Sequence, residues 1–242
     1  MFTVALIGPD GAGKTTIGHI IERELPLPVK YLYMGVNADS SNHLLPTARL
    51  ARLIRRARGK RDNRGPREHN LEASPTKGAL RQMASSIKSI LSLANRLAEE
   101  CYRQALAWYY KRRRFIVLFD RHYFPDYYAY DIIRDGRRRP LAQRIHGLFL
   151  NHVYPKPDLL VYLDAPAEVL LARKGEGTRE LLERRRGDYL QIAQVVKHFV
   201  VVDANRPQSA VARDVRACIS DFYRSQNQRG DIHAVSANNP FP

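Results

Sequence analysis

A chain of 242 residues, 44% of them hydrophobic, is long enough to bury a full core as one large domain or two small ones. Its 40 Lys and Arg outnumber 24 Asp and Glu, and the formal charge of +16 favours anionic partners: phosphorylated small molecules, nucleic acid or a membrane surface. The two cysteines, Cys101 and Cys218, stand far apart and outside any C-x-x-C pair, which argues against a disulfide framework and against a zinc site.

Thr3-Val4-Ala5-Leu6-Ile7 is a short apolar run that reads as a buried parallel strand. Gly8-Pro9-Asp10-Gly11-Ala12-Gly13-Lys14-Thr15 follows and fits G-x-x-x-x-G-K-[ST], with Thr16 next. Ile17, Ile20, Ile21 and Leu25 then recur at helical spacing until Pro26 and Pro28 end the pattern. Strand, glycine loop and helix are the context a phosphate-binding loop needs. Successive N–H groups turn inward at phosphate oxygens, the helix N-terminus adds partial positive charge, Lys14 reaches the β/γ-phosphates, and Thr15 offers a hydroxyl to Mg²⁺. The stretch predicts nucleoside triphosphate binding.

Four further segments read as buried strands, at residues 29–34, 115–119, 159–163 and 199–202. Strands alternating with helices predict an α/β fold with a parallel sheet covered on both faces and ligands at the carboxyl ends of the strands. Gly8, Asp120, Asp164 and Asp203 fall at such ends, and one three-layer domain over residues 1–224 accounts for the strands and helices.

Residues 36–79 are the least regular part. Leu50, Leu53, Ile54 and Ala57 make one face of a short helix that also carries Arg49, Arg52, Arg55, Arg56 and Arg58, and a basic loop follows. This segment, 49–67, is either a solvated charge-rich insertion or a contact for an anionic partner or membrane surface. A long helical pattern covers 79–113, and its basic end at 111–114 suits the negative end of a helix dipole. Further helices are predicted over 141–153, from 166, and over 208–223, with a polar, poorly ordered tail from Ser225. No basic segment precedes a long apolar run and no apolar stretch is long enough to span a bilayer, so the expected setting is the reducing cytoplasm.

Two more sites carry chemistry. Phe119-Asp120-Arg121-His122-Tyr123 leaves the third strand; its carboxylate suits Mg²⁺ and the adjacent guanidinium can bridge phosphates as charge moves between them. Leu170 to Glu180, then Arg184-Arg185-Arg186, place two glycines among cations and predict a hinged lid over about 173–187 that brings positive charge to a triphosphate. With alanine at position 12, the loop itself supplies only Lys14 as a cation.

Together the phosphate loop, Asp120-Arg121-His122 and Pro157-Asp158-Leu159-Leu160-Val161-Tyr162-Leu163-Asp164-Ala165-Pro166-Ala167-Glu168 resemble thymidylate kinase, a P-loop nucleoside monophosphate kinase family. Val202-Asp203-Ala204 resembles that family's last strand end, and the likeness runs in order to about residue 224. The resemblance implies a five-stranded parallel sheet, ATP and Mg²⁺ as cofactors, and a lid. It casts Lys14, Asp120, Arg121, Arg173 and Arg179 as catalytic, and Gly8, Asp10, Gly11, Ala12, Gly13, Lys14, Thr15 and Thr16 as nucleotide-binding. Thr15 and Asp120 become metal ligands; Asp10, Arg96 and Arg121 become acceptor contacts.

The acceptor side departs from that family. Where it has Arg-Glu-Pro-Gly-Gly-Thr, this chain has Tyr33-Met34-Gly35-Val36-Asn37-Ala38-Asp39-Ser40; after His122 it has Pro125 and Ala129-Tyr130-Asp131 in place of a serine and Ala-Tyr-Gln. The expected activity is therefore ATP-dependent phosphoryl transfer to a nucleoside monophosphate or related small-molecule acceptor. A kinase of a sugar or nucleoside hydroxyl, with Asp10 or Asp120 as base, stays open. So does a nucleotide-binding switch or nucleic-acid-associated NTPase, although no nucleic-acid module is recognisable. A homodimer is left open.

Overall fold

The structure is a computed structural model that describes the backbone of residues 1–35, 79–127, 141–175 and 177–237, and their side chains except at 79–89, 92, 126–127, 141–143 and 229–237. The basic segment 49–67, residues 36–40 of the altered stretch after the second strand, and residues 129–131 lie outside the described residues.

Five strands, β1 (Thr3–Ile7), β2 (Val29–Tyr33), β3 (Ile116–Asp120), β4 (Leu159–Asp164) and β5 (Phe199–Asp203), form one all-parallel sheet in the order β2-β3-β1-β4-β5. The α/β class and the five-stranded sheet agree with the sequence reading. Strands 1, 3 and 4 are apolar and buried along nearly their whole length, as parallel strands covered on both faces must be. Val201, on edge strand β5, is 48% exposed. Leu6 pairs with Asp120, and Asp164 with Asp203, so these acids are the last residues of their strands rather than the first of the loops. The chain leaves β1 toward one side of the sheet and later crosses to β4 on the other. The carboxyl end of β1 is thus the switch point, where parallel α/β sheets place their ligands.

The helices are α1 (Lys14–Glu24), α2 (Ala79–Arg112), α3 (Tyr123–Tyr127), α4 (Leu141–His152), α5 (Ala167–Lys174), α6 (Arg179–Gln191) and α7 (Gln208–Ala237). One of them adds to the sequence reading and another corrects it. The lid stretch is the end of α5, a turn with Gly175 and Gly177, and then helix α6, capped by the Thr178 hydroxyl that accepts from the Leu181 N–H. Only Leu182 of α6 is buried, so no apolar stripe announced it. The other is α7, which continues to Ala237 through residues read as a polar tail. Its first half, packed through Val211, Ala212, Val215, Ile219 and Phe222, is already a helix, and no proline occurs before Pro240 to stop its extension. Among the described residues no helix is long and apolar enough to cross a membrane.

The chain makes two compact units. One comprises Met1–Tyr31, Tyr110–Arg121 and Lys156–Pro242; the other comprises Leu32–Tyr109 and His122–Pro155. In the first, Ile17, Ile21 and Leu25 of α1 and the apolar face of α7 pack with Val4, Leu6, Ile116, Leu118, Val161 and Leu163 from the sheet. Asp158 ties the start of β4 to β1 by accepting from the Thr3 N–H and hydroxyl. The second unit buries Ala107, Tyr123, Phe124, Leu150 and Tyr154, with a fully buried His146–Glu100 pair 2.8 Å apart.

Candidate active site

The site starts from Gly8. Its φ is +145°, and a Cβ there would stand 2.5 Å from the Leu163 carbonyl oxygen of β4. Only glycine lets the loop turn away from β1 this close to the neighbouring strand. The loop closes through the Ala12 N–H donating to the Pro9 carbonyl, while the Ala12 methyl is buried in the core. Gly13 enters α1 in the left-handed region, φ 86°, and no side chain caps the helix. The first N–H groups of α1 therefore have no side-chain partner from its own N-cap, the arrangement in which a helix N-terminus receives an anion. Thr16 is exposed in that first turn.

Lys14 is 5% exposed. Its Nζ donates to the Gly8 and Pro9 carbonyls, both at 2.7 Å, and stands 4.0 Å from Asp10 Oδ1. The loop's own backbone thus aims the lysine. Asp10 is also met by Arg121, which donates to Oδ1, and by Lys174 at 3.8 Å. Burial raises the Asp10 pKa, but Arg121, then Lys14 and Lys174, outweigh it and bring the value down to about 2. Three cations on one carboxylate leave an excess of positive charge suited to a polyphosphate. A carboxylate held at about 2 is a poor general base near neutral pH, which disfavours Asp10 in that role.

That depression has a stability consequence. Its folded pKa lies below the unfolded one, so Asp10 contributes stability that is full above pH 4 and disappears as pH falls through about 2. We expect wild type to exceed Asp10→Asn by on the order of 2 kcal/mol at pH 7 and by about half that at pH 3. Urea unfolding of both proteins at the two pH values measures this; a pH-independent gap would contradict the ion-pair account.

Asp120 is fully buried at the end of β3. Its Oδ2 accepts from the Thr15 hydroxyl and from the Tyr31 hydroxyl, each at 2.6 Å, and its buried Oδ1 has no hydrogen-bond partner. Arg121 follows with φ 67°, an uncommon conformation for a residue with a Cβ, and its N–H donates to the Leu6 carbonyl. Backbone strain of this kind recurs where side chains are held for function. His122, buried throughout, is pushed down to about 3 by burial, so it is neutral and its Nδ1 accepts from the Phe124 N–H at the start of α3.

The predicted residues are thus gathered in part. Gly8, Asp10, Gly11, Ala12, Gly13, Lys14, Thr15, Asp120 and Arg121 come together around the carboxyl end of β1. Arg173 donates to the Ala204 carbonyl at 3.0 Å, and Arg179 pairs with Glu168 on an exposed surface at 2.7 Å. The cation of that stretch that meets Asp10 is Lys174, to which the sequence reading gave no role. Arg96 lies half-buried on α2 in the other unit, where Arg103 donates to the Gly35 carbonyl at 2.8 Å. Lys174 was findable as a cation beside a left-handed glycine turn; Tyr31, a strand tyrosine, carried no signal in sequence. Arg186 was only one of a basic run, yet its guanidinium forks onto both oxygens of Asp164, at 2.8 and 2.9 Å, while Tyr162 donates to the same carboxylate. This fork, with the Tyr162 hydrogen bond, keeps the Asp164 pKa below its ordinary value despite partial burial.

For Mg²⁺ the donor set fits. One carboxylate with an orphaned buried oxygen and one adjacent hydroxyl are what a cation bound chiefly by phosphates requires, and among the described residues no larger cage of His, Cys, Asp and Glu competes for it. No protein-family model matches the chain.

Proposed function

We propose that this protein is an ATP-dependent phosphotransferase, similar to thymidylate kinase, that moves the γ-phosphoryl of ATP to a nucleoside monophosphate or related small-molecule acceptor. The observation that carries the reading is the convergence of Lys14, the uncapped N-terminus of α1 and the Thr15–Asp120 contact at the switch point of the sheet. Thr15 and Asp120 would hold Mg²⁺, which supplies charge neutralisation on the phosphates. Lys14 binds and orients the β/γ-phosphates. Arg121, released from Asp10 by a better anion, serves donor and acceptor phosphates, and Lys174 adds positive charge from the lid side. Transfer is direct, so catalysis is positioning plus electrostatic stabilisation. An acceptor that is already an ionised phosphate needs no general base, in keeping with the low pKa of Asp10. Two free thiols, Cys101 and Cys218, support a reducing, cytoplasmic setting.

The test is an acceptor screen with ATP, read as ADP release above the rate without acceptor. Acceptor-dependent release supports the kinase reading; tight ATP binding with no acceptor effect supports a nucleotide-binding switch. Within that screen dTMP should be poor, below about 10⁴ M⁻¹s⁻¹ in kcat/KM. The altered stretches after Tyr33 and after His122 replace the family's acceptor contacts, and each lost hydrogen bond to a charged or buried group costs about 1.5–3 kcal/mol. Ordinary dTMP turnover would make the protein a divergent thymidylate kinase.

A further inference from the structure

We infer that Tyr31 is a positioning residue for the metal: its hydroxyl fixes the Asp120 carboxylate so that Oδ1 is the oxygen offered to a divalent cation carried by a nucleotide. The inference rests on the phosphotransferase reading and adds a residue to it.

Asp120 uses its two carboxylate oxygens unevenly. Both of its side-chain donors, Thr15 Oγ1 and Tyr31 Oη, sit on Oδ2 at 2.6 Å, and Oδ1 has none. A fully buried carboxylate with one oxygen doubly bonded and the other orphaned is costly unless a further partner arrives. Two donors on one oxygen also fix the plane of the carboxylate, since a quarter-turn would break both hydrogen bonds while a half-turn only exchanges two equivalent oxygens. Thr15 alone would be a weak anchor, because its own oxygen is needed by the cation. Tyr31 has no such second task, and it comes from β2, an element apart from the loop and from β3.

Tyr31 is itself held. Position 18, on the buried side of α1, is glycine, and a Cβ there would stand 2.7 Å from Cε2 of the Tyr31 ring. The His19 ring lies against the tyrosine ring, with centroids 4.3 Å apart. The Tyr31 backbone N–H donates to Glu22 of the same helix at 3.0 Å. Helix α1 therefore sets the phosphate loop at its start and, through its next turns, the tyrosine that orients Asp120. Such outer hydrogen bonds to a metal-binding carboxylate commonly govern affinity by ten- to a hundredfold.

The test uses Mn²⁺ as the probe, read by electron paramagnetic resonance in the presence of saturating ADP. Tyr31→Phe keeps the ring over Gly18 and removes only the hydroxyl. It should bind Mn²⁺ about tenfold or more weakly than wild type. In the acceptor assay it should need correspondingly more Mg²⁺ for half-maximal rate, with little change in the KM for acceptor. A second variant, Gly18→Ala, keeps the hydroxyl but pushes the ring aside, and circular dichroism checks that it has folded before metal is added. It should show the same loss. If wild type binds ADP and Mn²⁺ while both variants bind Mn²⁺ as tightly, Tyr31 has no role at the metal and the inference falls alone. If wild type retains no Mn²⁺ in the presence of ADP, the phosphotransferase reading and this inference fall together.

Discussion

Lys14→Ala is expected to lower phosphoryl transfer by about a hundredfold or more while leaving the fold in place. The side chain is nearly inaccessible, yet the bonds that hold it are to the loop carbonyls of Gly8 and Pro9, groups that bind it without needing it for the sheet or the core. Its removal leaves Asp10 with Arg121 and Lys174, so the local ion pairs persist. In the proposed mechanism, what disappears is a desolvated cation at the place where negative charge would shift during transfer, and such preorganised charges are worth about 3 kcal/mol or more. Circular dichroism should match wild type and the melt should stay cooperative, with a modest fall in midpoint from the weaker pairing of Asp10, while ADP release collapses. A folded Lys14→Ala protein with near-normal turnover would remove the central claim.

The largest expected effect on stability is at Gly8. Alanine there would place its methyl 2.5 Å from the Leu163 carbonyl oxygen while holding φ at +145°, and the neighbour is strand backbone with no room to yield. A loss of about 3 kcal/mol or more is expected. Gly13→Ala is the internal control. It shares a positive φ, 86°, but a Cβ there meets nothing within 4 Å, so only the dihedral cost of about 1–2 kcal/mol remains. Urea unfolding separates the two. Equal losses would mean that the contact between loop and β4 is not what demands glycine at position 8.

Those positions show how the sequence was readable and where it ceased to be. The glycine turn between β1 and α1, the place of Asp120 at a strand end and the five strands were legible because each is local: a spacing of glycines, or a run of β-branched residues, is sufficient. Strand ends were read one residue short at Asp120, Asp164 and Asp203, because a carboxylate looks like a loop residue unless the ladder that extends to it is known. Helix α6 was hidden by having a single buried leucine, and the second half of α7 by polar residues that extend an existing helix. Lys174 and Tyr31 were missed for a different reason. Their roles depend on meeting Asp10 and Asp120 across the fold, and no spacing along the chain encodes that meeting.

The anchoring of α5 and α6 determines how the segment between them is able to move. Arg186 grips Asp164 at the end of β4, Glu183 receives the Ala167 N–H, and Arg173 reaches the Ala204 carbonyl after β5. Glu183, in the second turn of α6, meets the first residue of α5; Arg186 lies one turn further on, and Arg173 is tied beside Lys174 itself. The first and next-to-last residues of α5 are therefore both held, and Gly175 and Gly177 on either side of the turn take left-handed backbone that residues with a Cβ seldom adopt. With its neighbour Arg173 fixed to the residue after β5, Lys174 reaches Asp10 from a held backbone, and any re-aiming of its charge falls to the rotamers of its own four-carbon stem.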